Sequence, residues 1–207
     1  MRKFIILLSL GLAVSASSFG QTDFLAAGDR YLLLARISSN RDTVSMALRA
    51  ALSDFSNELE INPGSARAFT GRGEARYMLG DYRGAVTDCR DAAELAPQDV
   101  KTYIIMGRAE AALGDFRLAL REFDKAINLN PHHTDVYLTY FYRGNVKSDT
   151  GNDAAAITDY NKSIEIFPSA PAYLKRGSAK FNLADRKGAC ADWGKAREMG
   201  LREAEDL

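Results

Sequence analysis

Histidine, cysteine and tryptophan are scarce in this chain of 207 residues, at two, two and one copies, and only five prolines are present. The two histidines are adjacent, His132-His133, with Asp135 nearby. Adjacent side chains point in different directions, whereas a metal centre needs ligands converging from several elements. No Ser/His/Asp set, Cys/His pair, phosphate-cradling glycine loop or His-Glu-x-x-His motif occurs. No catalytic residue, metal or cofactor is therefore expected, and the chain is read as a non-enzyme. Charge shows no excess either, with 27 basic against 27 acidic residues, which argues against a nucleic-acid partner.

Long apolar runs are also missing, save one at the start. Arg2-Lys3 precedes the apolar stretch Phe4 to Val14, which ends in Ser15-Ala16-Ser17-Ser18-Phe19-Gly20-Gln21. About 11 apolar residues fall short of the roughly 20 that span a bilayer. The positive start, short apolar core and small-residue exit are those of a secretory leader. Residues 1–20 are expected to be removed at Gly20/Gln21, with a cut after Ala16 or Ser17 as the competing choice, and no cysteine stands there to carry a lipid. The mature chain, 21–207, would carry a net charge near −2 and be exported, periplasmic or secreted, without a membrane span.

What the chain does have is internal repetition. Pro63, Pro97, Pro131 and Pro168 lie 34, 34 and 37 residues apart, and Gly73, Gly107, Gly144 and Gly177 lie 34, 37 and 33 apart. The shared 37 places a three-residue insertion around His132-His133-Thr134-Asp135. Within each unit, apolar and small residues fall at helical spacing in two segments of about 14 residues, separated by a short break. Gly80-Asp81, Gly114-Asp115, Gly151-Asn152 and Ala184-Asp185 mark those breaks. Glycine supplies a left-handed stop and the polar residue an N-cap. Gly in the first helix opposite Ala in the second lets the axes approach, and Cys89, Phe123, Tyr160 and Trp193 fill the space beyond the crossing.

Two further patterns follow the period. Arg72 and Asp88, Arg143 and Asp159, and Arg176 and Asp192 all stand 16 apart, predicting a partly buried ion pair within a hairpin or to its neighbour; the third unit has Met106 and Glu122 instead. Cys89 and Cys190 fall two whole units apart. With stacked units advancing on the order of 10 Å each, they are expected to be free, buried thiols.

The first unit differs. Leu34 and Ala51 are separated by about 11 residues more than their counterparts, with a break at Ser38-Ser39-Asn40 and Asp42 or Thr43 as the expected N-cap. The enlarged hairpin is either a terminal cap free to vary or a contact element.

The period near 34, with Arg72-Gly73-x-Ala75, Leu79-Gly80-Asp81-Tyr82, Ala85 and a closing Pro97, resembles the tetratricopeptide repeat family from about residue 24 to 200, most strongly from Ser65. The resemblance implies an all-α, right-handed superhelical solenoid of about five hairpins, near 23–63, 65–97, 99–131, 134–168 and 170–201, closed by a short C-terminal cap. It also implies a concave face lined by the first helices, suited to a peptide or partner helix. The inward-facing places fall on Arg67, Glu74 and Tyr77; Lys101, Ile104, Ile105 and Arg108; Phe141, Tyr142 and Asn145; and Lys175 and Phe181. Phe141, Tyr142 and Ile105 are the expected anchors, and Arg108 and Lys175 suit a carboxylate. The family's Lys/Asn/Arg clamp for chaperone tails is matched only in fragments at Asn145 and Lys175, since Phe141 stands where that clamp needs lysine. The expected function is a protein-interaction scaffold of the periplasm or cell envelope; the alternative is a chaperone-like carrier of exported polypeptides.

Overall fold

A computed structural model describes residues 24–130 and 135–200. The expected leader, the turn holding His132-His133 and the C-terminal cap lie outside the described residues. Those residues cluster into two compact units, one ending at Pro97 and the other beginning at Gln98, a boundary the sequence reading does not draw.

The fold is an all-α helical repeat, and no strand occurs among the described residues. In the first unit, α1 (residues 24–37) and α2 (Arg41–Ile61) form one hairpin and α3 (Ala66–Leu79) and α4 (Tyr82–Leu95) the next. The second unit holds α5 (Val100–Ala112) with α6 (Phe116–Leu129), α7 (Val136–Asp149) with α8 (Asp153–Ile166), and α9 (Ala170–Asn182) with α10 (Arg186–Glu198). Within each unit, every hairpin also packs against the one that comes after it.

Local chemistry sets the ends. The helices α2, α4 and α8 each stop two residues before a proline, and the residue between, Asn62, Ala96 or Phe167, is drawn out to φ between −129° and −145°. Proline sterics disfavour helical backbone at the preceding residue. Inside the hairpins, Gly80, Gly114 and Gly151 take φ of 80° to 87°. The Asp81 and Asp185 side chains accept from the amides of Gly84 and Gly188 at 2.9 Å, and Asn152 accepts from Ala155 at 3.3 Å. Asp115 makes no such bond.

The fourth turn has Ala184 at φ 65°, the one non-glycine in this conformation among the described residues. A Cβ there meets the following carbonyl, at a cost of about 1–2 kcal/mol. Ala184→Gly should therefore raise stability by about 1 kcal/mol once glycine's extra unfolded-chain entropy is subtracted. The midpoint of urea unfolding measures it, and an unchanged or lowered midpoint would contradict the strain.

At the helix crossings the glycines meet the larger side chain expected beyond, and two of them the alanine backbone as well. A Cβ added to Gly107, Gly144 or Gly177 would lie 2.6–2.8 Å from the ring of Phe123, Tyr160 or Trp193. Glycine thus admits the aromatic ring itself, and at Gly73 and Gly177 such a Cβ would also meet the carbonyl oxygens of Ala85 and Ala189 at 3.3 and 3.2 Å; Ala85, Ala119, Ala156 and Ala189 are all fully buried. In the first unit the Phe55 ring lies against two glycines, Gly28 on α1 and Gly71 on α3.

The first hairpin corrects one expectation and resolves another. Its break is at Ser38–Asn40 as expected, but the N-cap is Asn40, whose Oδ1 accepts from the Thr43 amide at 3.0 Å. Asp42 and Thr43 are already helical. The extra residues go mainly into α2, which at 21 residues is seven longer than α4.

Cys89 is buried, but Cys190 is exposed, and both are free thiols. The exposure of Cys190 corrects the expectation of two buried thiols. It lies three residues before Trp193, the place Val86 holds before Cys89, in the last hairpin described, where no further described hairpin covers that face.

Candidate partner-binding face

Three hairpins share one charged arrangement. Asp88, Asp159 and Asp192 are buried on the second helices α4, α8 and α10. Each receives the Nε and an Nη of an arginine on its first helix: Arg72 at 3.0 and 2.7 Å, Arg143 at 2.9 and 2.6 Å, Arg176 at 2.8 and 2.5 Å. The planar fork matches the carboxylate. A second cation one turn on completes the clasp, with Arg76, Lys147 and Lys180 reaching the same three carboxylates at 2.7–2.8 Å.

Each arginine is also tied behind. Its guanidinium carbon lies 5.3–5.5 Å from the ring three residues earlier, Phe69, Tyr140 or Tyr173. It also reaches back to the preceding hairpin, donating to Ser56 Oγ at 3.5 Å, Asp124 at 2.6 Å or Asn161 Oδ1 at 2.7 Å. The pairing expected from sequence therefore lies within the hairpin and to its neighbour at once. Burial tends to raise the Asp192 carboxyl, but Arg176 and Lys180 hold it below its ordinary value. Burial likewise disfavours the Arg143 cation, and the carboxylates of Asp159 and Asp124 more than offset it.

The third hairpin lacks the clasp. Met106 stands for the arginine, Glu110 for the second cation and Glu122 for the aspartate, all three buried. Glu122 instead takes the Nε of its own neighbour Arg121 at 2.7 Å. The second cations are legible in principle, since Arg72/Arg76, Arg143/Lys147 and Arg176/Lys180 are all i, i+4 pairs. The 16-residue spacing alone does not reveal them.

These clasps occupy the interior, so a ligand must use what the first helices leave outward. In the second unit α5 touches α7, and α7 touches α9. Across them run an aromatic cluster and several polar groups. Tyr142 stacks on Phe123 at 6.3 Å, Phe141 meets it edge-on at 5.4 Å and lies 6.1 Å from Tyr160, and the Arg108 guanidinium sits 4.5 Å above the Tyr142 ring. Phe141, Tyr142 and Arg108 are all half-buried. Asn145 accepts the Tyr160 hydroxyl at 2.9 Å. Burial, then the carboxylates of Asp149, Asp153 and Asp159, push that phenol above its ordinary range.

The other expected residues are more scattered. Lys175 is exposed, Lys101 half-buried, and Phe181 exposed against Trp193 at 5.7 Å. Ile104 and Ile105 are only 6% and 3% accessible. The anchor expected at Ile105 is therefore core, because α5 buries several sides along these turns. In the first unit Arg67 pairs with Asp29 and Glu74 with Arg36, joining α3 to α1. Tyr77 lies 5.5 Å from Tyr82. No group of three or more His, Cys, Asp or Glu among the described residues is placed to hold a metal.

Residues 47–100 and 106–171 match the family described as tetratricopeptide repeat. No curated protein gives a significant match. Among solved structures, the MamA protein is similar at TM-score 0.67 and 22% identity, over 90% of this chain and 94% of its own. A thermophilic TPR protein of Thermus thermophilus reaches 0.69 at 19% identity, over 89% and 94%. YrrB, described as a TPR protein with an unusual peptide-binding site, reaches 0.63 at 19% identity, over 94% and 97%. At such identities the likeness speaks to the fold alone.

Proposed function

We infer the function from one premise: this chain belongs to the tetratricopeptide repeat family. It is a non-catalytic interaction scaffold that binds an extended peptide or a partner helix along the first helices of its second unit. The observation that carries this reading is the half-buried cluster of Arg108, Tyr142 and Phe141, bridging α5 and α7. Aromatic and arginine side chains whose shape is fixed by neighbours make efficient anchors, because little side-chain entropy remains to be lost on binding. Arg108 and the exposed Lys175 favour a ligand with an acidic group next to an apolar one. The leader-like N-terminus supports placing the scaffold in the periplasm or cell envelope.

The test is an array of ten-residue peptides, acidic-apolar against basic-apolar, probed with the wild-type chain and with Phe141→Ala/Tyr142→Ala. We expect acidic-apolar peptides to be retained by wild type and at least tenfold more weakly by the variant, as losing two anchors implies. Equal retention by both proteins would sink the reading. Broad, weak binding of every unfolded chain, insensitive to the substitutions, would favour the carrier instead.

A further inference from the structure

The tip of the first hairpin carries apolar side chains that no internal packing explains. Met46 and Ile37 are 73% and 72% accessible, the highest values among exposed large apolar residues in the described structure, and Leu33 is 55%. Tyr31 and Leu34 are exposed as well, so five such residues fall between positions 31 and 46, around the turn Ser38–Asn40. The seven extra residues of α2 carry this tip about 10 Å beyond the level at which α4 begins, at 1.5 Å per residue.

Its charge is one-sided. Between Tyr31 and Arg49 the one acid is Asp42, against Arg36, Arg41 and Arg49, and of these Arg41 and Arg49 are exposed and enter no ion pair among the described residues. Arg36, exposed as well, is paired with Glu74. Beneath the overhang lies a groove of about 390 Å³, with Val44, Leu48, Met78 and Leu79 as its apolar walls and Ser38, Ser39, Ser45 and Arg41 at its polar side. Hydroxyls and a guanidinium suit a phosphodiester, and the apolar walls suit the glycerol and first methylenes attached to it.

We propose that this tip docks on an anionic phospholipid surface, with Ile37 and Met46 entering the apolar layer and Arg41 and Arg49 meeting the headgroups. Separate aliphatic side chains on a projecting tip need no shaped mate, which a fluid acyl layer does not provide and a protein would. Arginines flanking such residues add attraction to negative lipid, the combination that holds proteins at an interface without spanning it. The proposal does not depend on the peptide-binding reading, which concerns the second unit.

The experiment is co-sedimentation with vesicles of phosphatidylglycerol and phosphatidylcholine, or phosphatidylcholine alone, using the chain from Gln21 onward so that Phe4 to Val14 contributes nothing. Wild type is expected to partition at least tenfold more strongly to the anionic vesicles. Arg41→Gln/Arg49→Gln should remove that preference, at about fivefold per arginine. Ile37→Ser/Met46→Ser should weaken binding at least tenfold while leaving helicity unchanged, both side chains being exposed. Wild-type binding without lipid-charge preference, or variants that bind as wild type does, would overturn the proposal. So would a wild-type dimer in light scattering that Ile37→Ser/Met46→Ser dissociates, since a second copy would then be the occupant.

Discussion

Asp159→Ala is expected to cost about 3–5 kcal/mol of unfolding free energy, the range for removing one partner of a buried ion pair. Asp159 is buried and receives two bonds from Arg143 and one from Lys147. Its loss leaves the Arg143 guanidinium half-enclosed, with only Asp124, which is itself 55% accessible, for a counter-charge. Restoring neutrality should recover most of the loss. Asp159→Leu with Arg143→Met removes both charges, and methionine already occupies the arginine's place in α5 at Met106. Lys147 can then extend its stem to water. Urea unfolding of the three proteins measures the effect. A loss below about 1 kcal/mol for Asp159→Ala, the scale of an exposed pair, would show that the clasp is no more than a surface contact.

Gly71→Ala should destabilise by about 1–3 kcal/mol, the usual penalty for overfilling a packed core. In an ordinary helix position the same exchange stabilises by about 0.5–1 kcal/mol. Here the new methyl would press into the Phe55 ring, which also lies against Gly28. The ring is fully buried and has nowhere to retreat. Gly194→Ala is the matched control, since nothing lies within 4 Å of a Cβ at that place in α10. The two substitutions should therefore move the urea midpoint in opposite directions. Gly71→Ala/Phe55→Leu should recover part of the first loss by removing the ring. A stable Gly71→Ala with Phe55 unchanged would mean that α3 shifts freely against α2.

Most of the fold is legible in the sequence because each of its decisions repeats. One glycine or proline is weak evidence, but the same residue returning at every period marks a helix end four times over. The 16-residue spacing of Arg143 and Asp159 carries real contacts for the same reason. The failures fall where a decision is made once. Three polar residues in a row at Asn40, Arg41 and Asp42, with Thr43 after them, offer several N-caps, and only the course of the chain selects Asn40. Register alone places Ile105 outward, but α5 buries more sides than a two-sided helix would. Cys190 is exposed at a register where Val86 is buried, so the place in the repeat does not by itself decide burial.

The absent clasp of the third hairpin bears on mistakes in assembly. Helices α3, α7 and α9 present two cations at the same places, and α4, α8 and α10 the same aspartate, so an exchange of partners among them keeps the charges of each clasp satisfied. Electrostatics therefore does little to forbid helix-for-helix swapping between copies, or recombination of those hairpins. Pairing α5 with α8 is different: it would set Met106 and Glu110 against Asp159, burying two acids with no arginine between them. The α5–α6 hairpin is thus the one of these four whose charges resist exchange with the others.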